Sequence, residues 1–260
     1  MIRPVTLITG ASAGIGASLA HVFAAHGHEL VLIARREQRL VDLADAIAAT
    51  GHQRPIVLPM DLARPDAAEG IRQELMTRDV EPEIVINNAG FGLVGDAASL
   101  DRAEQLSMID VNVRTLTDLS LAFVDSLERR RGGILNVASI AGFLPGPGMA
   151  VYHATKAFVL SFSEALHSEL ALRGVRVTAL CPGPVPTEFQ VRAGITKGSS
   201  PPLLTESAEA VAEQAYRGLR DGQRLVVPGL GNKAVTVLTR LVPRAVVLAA
   251  LQRRNRQRSR

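Results

Sequence analysis

The chain of 260 residues is 47% hydrophobic and 21% charged, a balance that excludes a disordered protein. Only 3% of the residues are aromatic and none is Trp, so a protein that stacks nucleic-acid bases is not expected. One Cys and six His residues without metal-like clustering exclude a disulfide framework and argue against a metal site.

Seven short apolar runs alternate with longer stretches of helical periodicity. Several runs, such as residues 30–33, are apolar at every position, as expected of strands that are covered on both faces. The alternation predicts an α/β fold, a doubly wound parallel sheet of about seven strands with helices on both faces. The predicted strands are Val5–Thr9, Glu29–Ala34, Pro55–Leu58, Glu83–Asn88, Gly133–Ser139, Val175–Leu180 and Leu225–Val227.

A glycine-rich turn joins the first predicted strand to the first helix. Its glycines, Gly10, Gly14 and Gly16, have the spacing G-x3-G-x-G. Glycine allows a tight turn and lets a pyrophosphate approach the free N–H groups at the start of the helix. The turn therefore predicts a dinucleotide-binding site; the alternative is a helix start that needs glycine only to turn.

Arg35 and Arg36 follow the second predicted strand, where the ribose of a bound dinucleotide would lie. NAD favours an acidic residue at this place, whereas a guanidinium suits the 2′-phosphate of NADP. The two arginines predict a preference for NADP. Glu37 keeps NAD as an alternative, and solvated charges at a helix start are a third interpretation.

Tyr152 and Lys156 are four residues apart at the start of a long helical pattern, so they share one face of that helix. A nearby ammonium favours the phenolate and is expected to lower the pKa of the phenol, which would make Tyr152 a general acid and base. Ser139 ends the fifth predicted strand, at the sheet edge where such folds bind ligands. The alternative is a half-buried tyrosine beside a solvated lysine.

Together these motifs resemble the short-chain dehydrogenase/reductase family. The order and spacing of Thr9-Gly-x3-Gly-Ile-Gly, Asn87-Asn88-Ala89-Gly90, Ser139, Tyr152-x3-Lys156 and Pro182-Gly183 match that family over about residues 4–227. The resemblance implies a Rossmann-like fold. It also implies hydride transfer between NAD or NADP and a carbonyl or alcohol, without a metal.

The resemblance further implies roles for single residues. Tyr152 exchanges a proton with the substrate oxygen, to which Ser139 donates a hydrogen bond. Lys156 lowers the pKa of Tyr152 and binds the nicotinamide ribose. Asn112 matches the fourth catalytic residue, which positions a water for proton relay. The residues expected at the cofactor are Gly10, Ser12, Gly14, Ile15, Gly16, Arg35, Arg36, Asp61, Leu62, Asn88, Ala89, Gly90, Tyr152, Lys156, Pro182, Gly183 and Thr187.

Four apolar residues lie in segments that border the substrate cleft in relatives. They predict an apolar pocket for a hydrophobic carbonyl compound or secondary alcohol; the alternative is that half of them only pack the lid. These residues are Phe91, Phe143, Met149 and Phe189. Two other functions stay open, a regulatory or scaffold protein that binds cofactor without turnover and an isomerase on the same fold.

Residues 1–229 are predicted to form one NAD(P)-binding catalytic domain, with a Pro- and Gly-rich substrate loop at 182–205. Residues 230–260 form an apolar and basic C-terminal extension. Residues 222–260 hold nine Lys and Arg and no Asp or Glu, whereas the rest of the chain has a net charge of −5. The apolar runs of the extension are expected either to pack on the domain or across an oligomer interface, leaving a disordered tail, or to associate weakly with anionic membranes.

The helical pattern after Tyr152 is apolar on more than one face, which predicts a homodimer or homotetramer. No h-region precedes the first strand, and no apolar run reaches the length of a membrane span. A cytoplasmic protein, peripheral at a membrane surface if the extension binds lipid, is therefore expected. Nucleic acid is not expected as a partner because the basic tail lacks aromatics.

Overall fold

A computed structural model of the chain describes residues 2–195, 201–249 and 251. A single parallel sheet of seven strands, in the order β3-β2-β1-β4-β5-β6-β7, runs through it. The predicted doubly wound, Rossmann-like α/β fold is thereby confirmed. The strands are β1 (Arg3–Thr9), β2 (Leu30–Ala34), β3 (Ile56–Pro59), β4 (Val80–Asn87), β5 (Gly133–Val137), β6 (Arg176–Leu180) and β7 (Leu225–Val226).

Each strand differs from its predicted bounds by one to three residues, and the differences at β4 and β5 bear on the site. β4 begins at Val80 rather than Glu83, and it includes Pro82 at the place where its register with β1 shifts. Proline usually marks a strand edge or an irregularity, which is why the sequence pattern suggested a later start. β5 ends at Val137, so Ser139 lies beyond the strand and caps a 3-10 turn over Ile140–Phe143.

Helices cover both faces of the sheet. In the described residues they are α1 (Gly14–Ala25), α2 (Glu37–Ala49), α3 (Ala67–Thr77), α4 (Arg102–Ile109), α5 (Leu116–Ala122), α6 (Val124–Arg130), α7 (Ala150–Ala171), α8 (Glu188–Ala193), α9 (Ala208–Arg220) and α10 (Leu230–Leu241). A π-helical segment, Asp110–Thr115, joins α4 to α5. None of the described helices is both long enough and apolar enough to cross a membrane.

The core has one apolar layer on each side of the sheet. Ile8 and Leu32 face the layer formed with α1, α2 and α9, where Phe23 is fully buried. Leu7 and Val31 face the opposite layer, formed with α3, α5, α6 and α7. Alternate strand residues thus serve both layers, which explains why these strands are apolar at every position. From β1 the strand order runs outward to β2 and β3, and it then resumes at β4 on the other side of β1. The strand order therefore reverses between β1 and β4, and a crevice opens at the carboxyl ends of these two strands.

Part of two predicted segments lies outside the described residues. Residues 196–200 of the predicted substrate loop are not described, and neither are residue 250 and residues 252–260 of the C-terminal extension. The described part of the extension begins with α10, which packs against the 3-10 turn Pro202–Leu204. The division of the chain at residue 229 stays a prediction.

Candidate active site

The glycine-rich turn has a backbone that side chains would obstruct. Gly10 and Gly14 have φ angles of 66° and 56°, in the left-handed region that favours glycine. A Cβ on Gly10 would lie 2.8 Å from the Cα of Ala89, and one on Gly16 would collide with the carbonyl oxygen of Gly10. The turn opens onto the N-terminus of α1, where the Ala13 side chain cannot cap the free N–H groups. This cradle fits a pyrophosphate.

Hydrogen bonds fix the turn to the end of β4. The Thr9 hydroxyl donates to the Ile86 carbonyl at 3.2 Å and accepts from the N–H groups of Asn88 and Ala89. The Asn88 side chain donates to the carbonyls of Thr9 at 2.9 Å and Gly10 at 3.2 Å. These bonds join the carboxyl end of β1 to the carboxyl end of β4, directly beside the cradle.

Arg36 forms an ion pair that crosses the crevice. Its guanidinium lies 2.7 Å from the Glu188 carboxylate, on the first residue of α8, and donates to the Ser12 hydroxyl at 3.1 Å. Arg39 lies 3.8 Å from the same carboxylate. Arg35 is exposed on the rim of the same cavity. Arg35 and Arg36 both led to the prediction of NADP, but their surroundings differ, because the charge of Arg36 is already paired with the Glu188 carboxylate.

Tyr152 and Lys156 occupy the first two turns of α7 and are both buried. The Lys156 ammonium donates to the Val137 carbonyl at 2.7 Å and lies 5.9 Å from the centre of the Tyr152 ring. Ser139 accepts a hydrogen bond from the Ala141 N–H at 3.1 Å. A tyrosine, a lysine and a serine from different elements therefore converge at the carboxyl edge of the sheet.

Burial dominates the proton affinities of this group. It raises the pKa of Tyr152 to about 12, opposed by a hydrogen bond with Ser139, and it lowers the pKa of Lys156 to about 8. The direction for Tyr152 is opposite to the sequence-based expectation. Desolvation of the phenolate is the largest cause and outweighs the hydrogen bond with Ser139, while the Lys156 ammonium donates to the Val137 carbonyl. Tyr152 is therefore held as a neutral phenol near pH 7.

Asn112 lies in the π-helical segment and is fully buried. Its amide donates to the Phe91 carbonyl at 3.0 Å and to the Thr155 hydroxyl at 3.1 Å, while its oxygen accepts from the Phe91 N–H at 3.1 Å. Through these bonds the Asn112 side chain holds the loop that follows β4 against α7. A π-helical turn at a functional site is a recurrent feature of enzymes.

One cavity of about 780 Å³ connects the glycine turn to Tyr152 and α8. It brings together residues that are far apart in sequence, and most of the predicted site residues line it. The predicted residues on its wall are Gly10, Ser12, Gly14, Ile15, Arg35, Arg36, Asp61, Leu62, Asn88, Ala89, Gly90, Phe91, Ser139, Met149, Tyr152, Lys156, Pro182, Gly183, Thr187 and Phe189.

Three predicted site residues are not on the cavity wall. Gly16 lies behind the turn, where its missing side chain admits the Gly10 carbonyl and the Asn88 amide. Asn112 is buried behind Phe91 and is hydrogen-bonded to the backbone of that residue. Phe143, predicted for the substrate pocket, instead packs against the buried cluster that contains Val159 and Cys181, because the 3-10 turn directs it toward α7.

Comparison with known proteins identifies the family. The sequence model described as short chain dehydrogenase matches residues 4–197. The chain belongs to the short-chain dehydrogenase family. It is an NAD(P)-dependent oxidoreductase, in agreement with the prediction from its motifs.

Relatives of this short-chain dehydrogenase include well-matched enzymes. Sulfoacetaldehyde reductase 2 of Chromohalobacter salexigens is 36% identical over 220 residues, covering 82% of this chain and 86% of that protein. A short-chain dehydrogenase from Sphingobium yanoikuyae in complex with NADPH superposes with a TM-score of 0.80, at 34% identity, over 87% of this chain and 88% of that one. The bulky-bulky ketone specific alcohol dehydrogenase from Comamonas testosteroni superposes with a TM-score of 0.77, at 28% identity, over 94% and 97% of the two chains.

Two charged residues on α8 of this short-chain dehydrogenase belong to no motif and were not predicted at the site. One is Glu188, the partner of Arg36. The other is Arg192, whose guanidinium carbon lies 4.1 Å from the centre of the Phe91 ring and lines the cavity. Burial lowers the pKa of Arg192, and the positive charge of Arg35 adds to this effect. Both residues lie within the Pro- and Gly-rich loop predicted at 182–205, and this position was the sequence feature that could have indicated them.

Proposed function

We propose that this short-chain dehydrogenase prefers NADPH and reduces a hydrophobic carbonyl compound, or oxidises the corresponding secondary alcohol. Residues 1–229 would form the catalytic domain. The observation that carries the proposal is one continuous cavity, with the glycine cradle at one end and Tyr152 between apolar side chains at the other. An apolar cavity with a few converging polar groups is the usual form of a small-molecule site.

The chemistry would divide between cofactor and protein. The nicotinamide supplies or accepts a hydride when it is bound. Tyr152 would donate its phenolic proton to the substrate oxygen during reduction, a role that suits a group held neutral by burial. Ser139 would hydrogen-bond the same oxygen, and Lys156 would bind the nicotinamide ribose and offset negative charge on the phenolate.

The remaining residues would position these groups. Asn112 would fix the Phe91 loop against α7, as its three hydrogen bonds indicate. Because those bonds use both N–H donors of the amide, a water in the proton relay would have to donate to its oxygen or be bound through other atoms. Thr187 touches the space above Gly14, consistent with a contact to the cofactor.

The substrate end of the cavity is apolar. Phe91, Met149 and Phe189 surround Tyr152, and the rings of Tyr152 and Phe189 are 5.4 Å apart. This lining supports a hydrophobic substrate, as does the similarity to a ketone-specific alcohol dehydrogenase. The intact set of Ser139, Tyr152, Lys156 and Asn112 argues against a scaffold without turnover. An isomerase would show no net change in nicotinamide absorbance.

The test is a screen of aldehydes, ketones and alcohols with NADPH and NADH, followed at the nicotinamide absorbance. The proposal expects turnover of bulky apolar carbonyl compounds with NADPH. Binding of NADPH without turnover of any carbonyl or alcohol would favour the scaffold interpretation.

Cofactor preference should depend on Arg35. We expect the wild-type protein to have a higher kcat/KM with NADPH than with NADH, and Arg35→Asp to reduce that ratio by about tenfold or more. The reason is the loss of one guanidinium for the 2′-phosphate and the gain of a repelling carboxylate. Steady-state kinetics with both cofactors measure the ratio.

Arg39→Asp is the matched control, because Arg39 is also exposed and near Glu188 but does not line the cavity. It should leave the NADPH-to-NADH ratio close to the wild-type value. A wild-type protein that uses both cofactors equally well, or an equal change in the two variants, would count against the preference.

A second candidate function is the reduction of a short anionic aldehyde. Arg192 supplies the observation in its favour, because its cation lies on the face of Phe91 in the same cavity. Similarity to a sulfoacetaldehyde reductase points the same way, since that name describes a substrate with a sulfonate. A guanidinium binds carboxylate or sulfonate oxygens with two parallel hydrogen bonds.

Arg192→Met separates the two candidates. If the substrate is anionic, the variant should raise KM for sulfoacetaldehyde by about tenfold or more and leave KM for neutral ketones unchanged. Arg192→Lys, which keeps the charge, should lose less. Equal effects on anionic and neutral substrates would assign Arg192 to packing on Phe91, and the hydrophobic substrate would stand.

We also propose a homodimer or homotetramer. Several apolar side chains on neighbouring helices are at least two-fifths exposed, an arrangement that suits a face covered by a second copy. They are Leu106, Ile109, Leu121 and Phe158, on α4, α5 and α7.

A further inference from the structure

Helix α10 has its polar side against the protein and its apolar side outward. Asn232 is fully buried and Thr236 is 7% exposed. In contrast, Leu230 is 84% exposed, Leu241 is 76% exposed, and Val237 and Leu238 are more than half exposed. A surface helix normally has the opposite arrangement, with its apolar side in the core. Within the described part of the chain, the apolar side of α10 is therefore left exposed instead of packed in the core.

Hydrogen bonds determine this orientation. The Asn232 amide donates to the Pro228 carbonyl at 2.8 Å and to the Leu204 carbonyl at 3.1 Å. Its side chain also occupies the space above Gly183, where any Cβ would collide with it. Rotating the helix to bury its leucines would break both bonds and take this donor from the buried Pro228 carbonyl and the partly buried Leu204 carbonyl, which is unfavourable.

The exposed apolar surface continues beyond the helix. Leu203, in the 3-10 turn Pro202–Leu204, is 80% exposed and lies beside Gly231 at the start of α10. Val246, past the end of the helix, is 57% exposed. We call the outward residues the α10 patch: Leu203, Leu230, Val237, Leu238, Leu241 and Val246. Contiguous apolar patches of this kind mark interaction sites.

Charge favours one occupant for the α10 patch. Residues 222–260 contain nine Lys and Arg and no Asp or Glu, and Lys233 and Arg244 are exposed beside the patch. A second copy placed on it by a two-fold axis would bring two such segments together, and their like charges would repel. An anionic lipid surface offers both an apolar layer for the leucines and a negative layer for the basic side chains.

We propose that the α10 patch is a binding surface for anionic membranes. The helix would lie in the plane of the lipid headgroups, with its leucines and valines in the acyl boundary and the basic residues at the headgroups. Because Asn232 packs on Gly183, which lines the cavity, the bound membrane would adjoin the loop that follows β6. This proposal depends on the patch and its charge, not on the identity of the substrate.

The test is co-sedimentation of the full-length protein with vesicles. Vesicles of phosphatidylglycerol and phosphatidylcholine should bind the protein at low salt, and vesicles of phosphatidylcholine alone should not. About 0.5 M NaCl should reduce binding several-fold because it screens the headgroup charge. Val237→Glu with Leu241→Glu should reduce the bound fraction at least about tenfold, since two carboxylates replace apolar contacts and oppose the surface charge.

Leu172→Glu is the matched control, because Leu172 is 97% exposed at the end of α7, far along the chain from the patch. It should bind vesicles like the wild-type protein. Cofactor affinity, which does not involve Val237 or Leu241, should be unchanged in all variants and shows that they are folded.

Two results would overturn the proposal. One is a wild-type protein that stays in the supernatant with anionic vesicles at low salt. The other is a double variant that sediments as a smaller oligomer than the wild-type protein while neither binds vesicles, which would assign the patch to a second copy. Equal binding to neutral and anionic vesicles would refute the part played by charge.

Discussion

Tyr152→Phe is expected to lower kcat by at least about 10²-fold, the usual contribution of a side chain that transfers a proton in the transition state. The phenylalanine keeps the ring beside Phe189 and removes only the hydroxyl. Binding of NADPH should be almost unchanged, because the glycine cradle lies at the other end of the cavity. Steady-state kinetics and cofactor titration together measure the two effects.

Tyr216→Phe provides the control, since the chain has only two tyrosines. Tyr216 stacks on His26 and packs against Phe23, away from the cavity. Its variant should keep kcat within a small factor of the wild-type value. Near-normal turnover in Tyr152→Phe would refute the assignment of Tyr152 as the proton donor, whatever the substrate.

The local motifs explain how much of the site the sequence could predict. A glycine with positive φ and two residues one turn apart on a helix are properties of a few neighbouring positions, so Gly10, Gly14, Tyr152 and Lys156 were placed correctly in the fold. Fully apolar strands likewise predicted a sheet covered on both faces. Each of these features is determined within a short stretch of chain.

Features that depend on distant contacts could not be predicted in this way. Arg36 pairs with Glu188, which is 152 positions further along the chain, so its surroundings were unknown from the sequence. The pKa of Tyr152 depends on how completely the fold buries it, and burial reversed the expected direction. The orientation of α10 depends on two carbonyls that Asn232 finds in other segments.

Lys156→Met is expected to lower kcat by at least about 10²-fold, because the variant removes the charge that would bind the nicotinamide ribose and offset the phenolate. Methionine has a similar length and no charge, so it should fill the same buried space. Lys233→Met is the control, as Lys233 is exposed on α10. It should change neither kcat nor stability appreciably. Turnover near the wild-type rate in Lys156→Met would refute the role of Lys156.

The same substitution should stabilise the protein near neutral pH. Burial lowers the pKa of Lys156 from 10.5 to about 8, which means that the fold disfavours the ammonium. A lowering of that size corresponds to about 3 kcal/mol of destabilisation of the charged form. Loss of the hydrogen bond to the Val137 carbonyl would offset about 1–2 kcal/mol of the gain. We therefore expect Lys156→Met to raise the free energy of unfolding by about 1–2 kcal/mol at pH 7.

The gain should depend on pH in one direction. Below about pH 8 the folded wild-type protein holds a charged, desolvated Lys156 and carries the full penalty. Between about pH 8 and 10.5 the unfolded chain binds more protons at this residue than the folded protein, so wild-type stability rises relative to the variant. Denaturant unfolding of both proteins at pH 7 and pH 10 should show the advantage of Lys156→Met shrinking as pH rises. An advantage that is absent at pH 7, or that grows with pH, would show that the ammonium is well solvated in the folded protein.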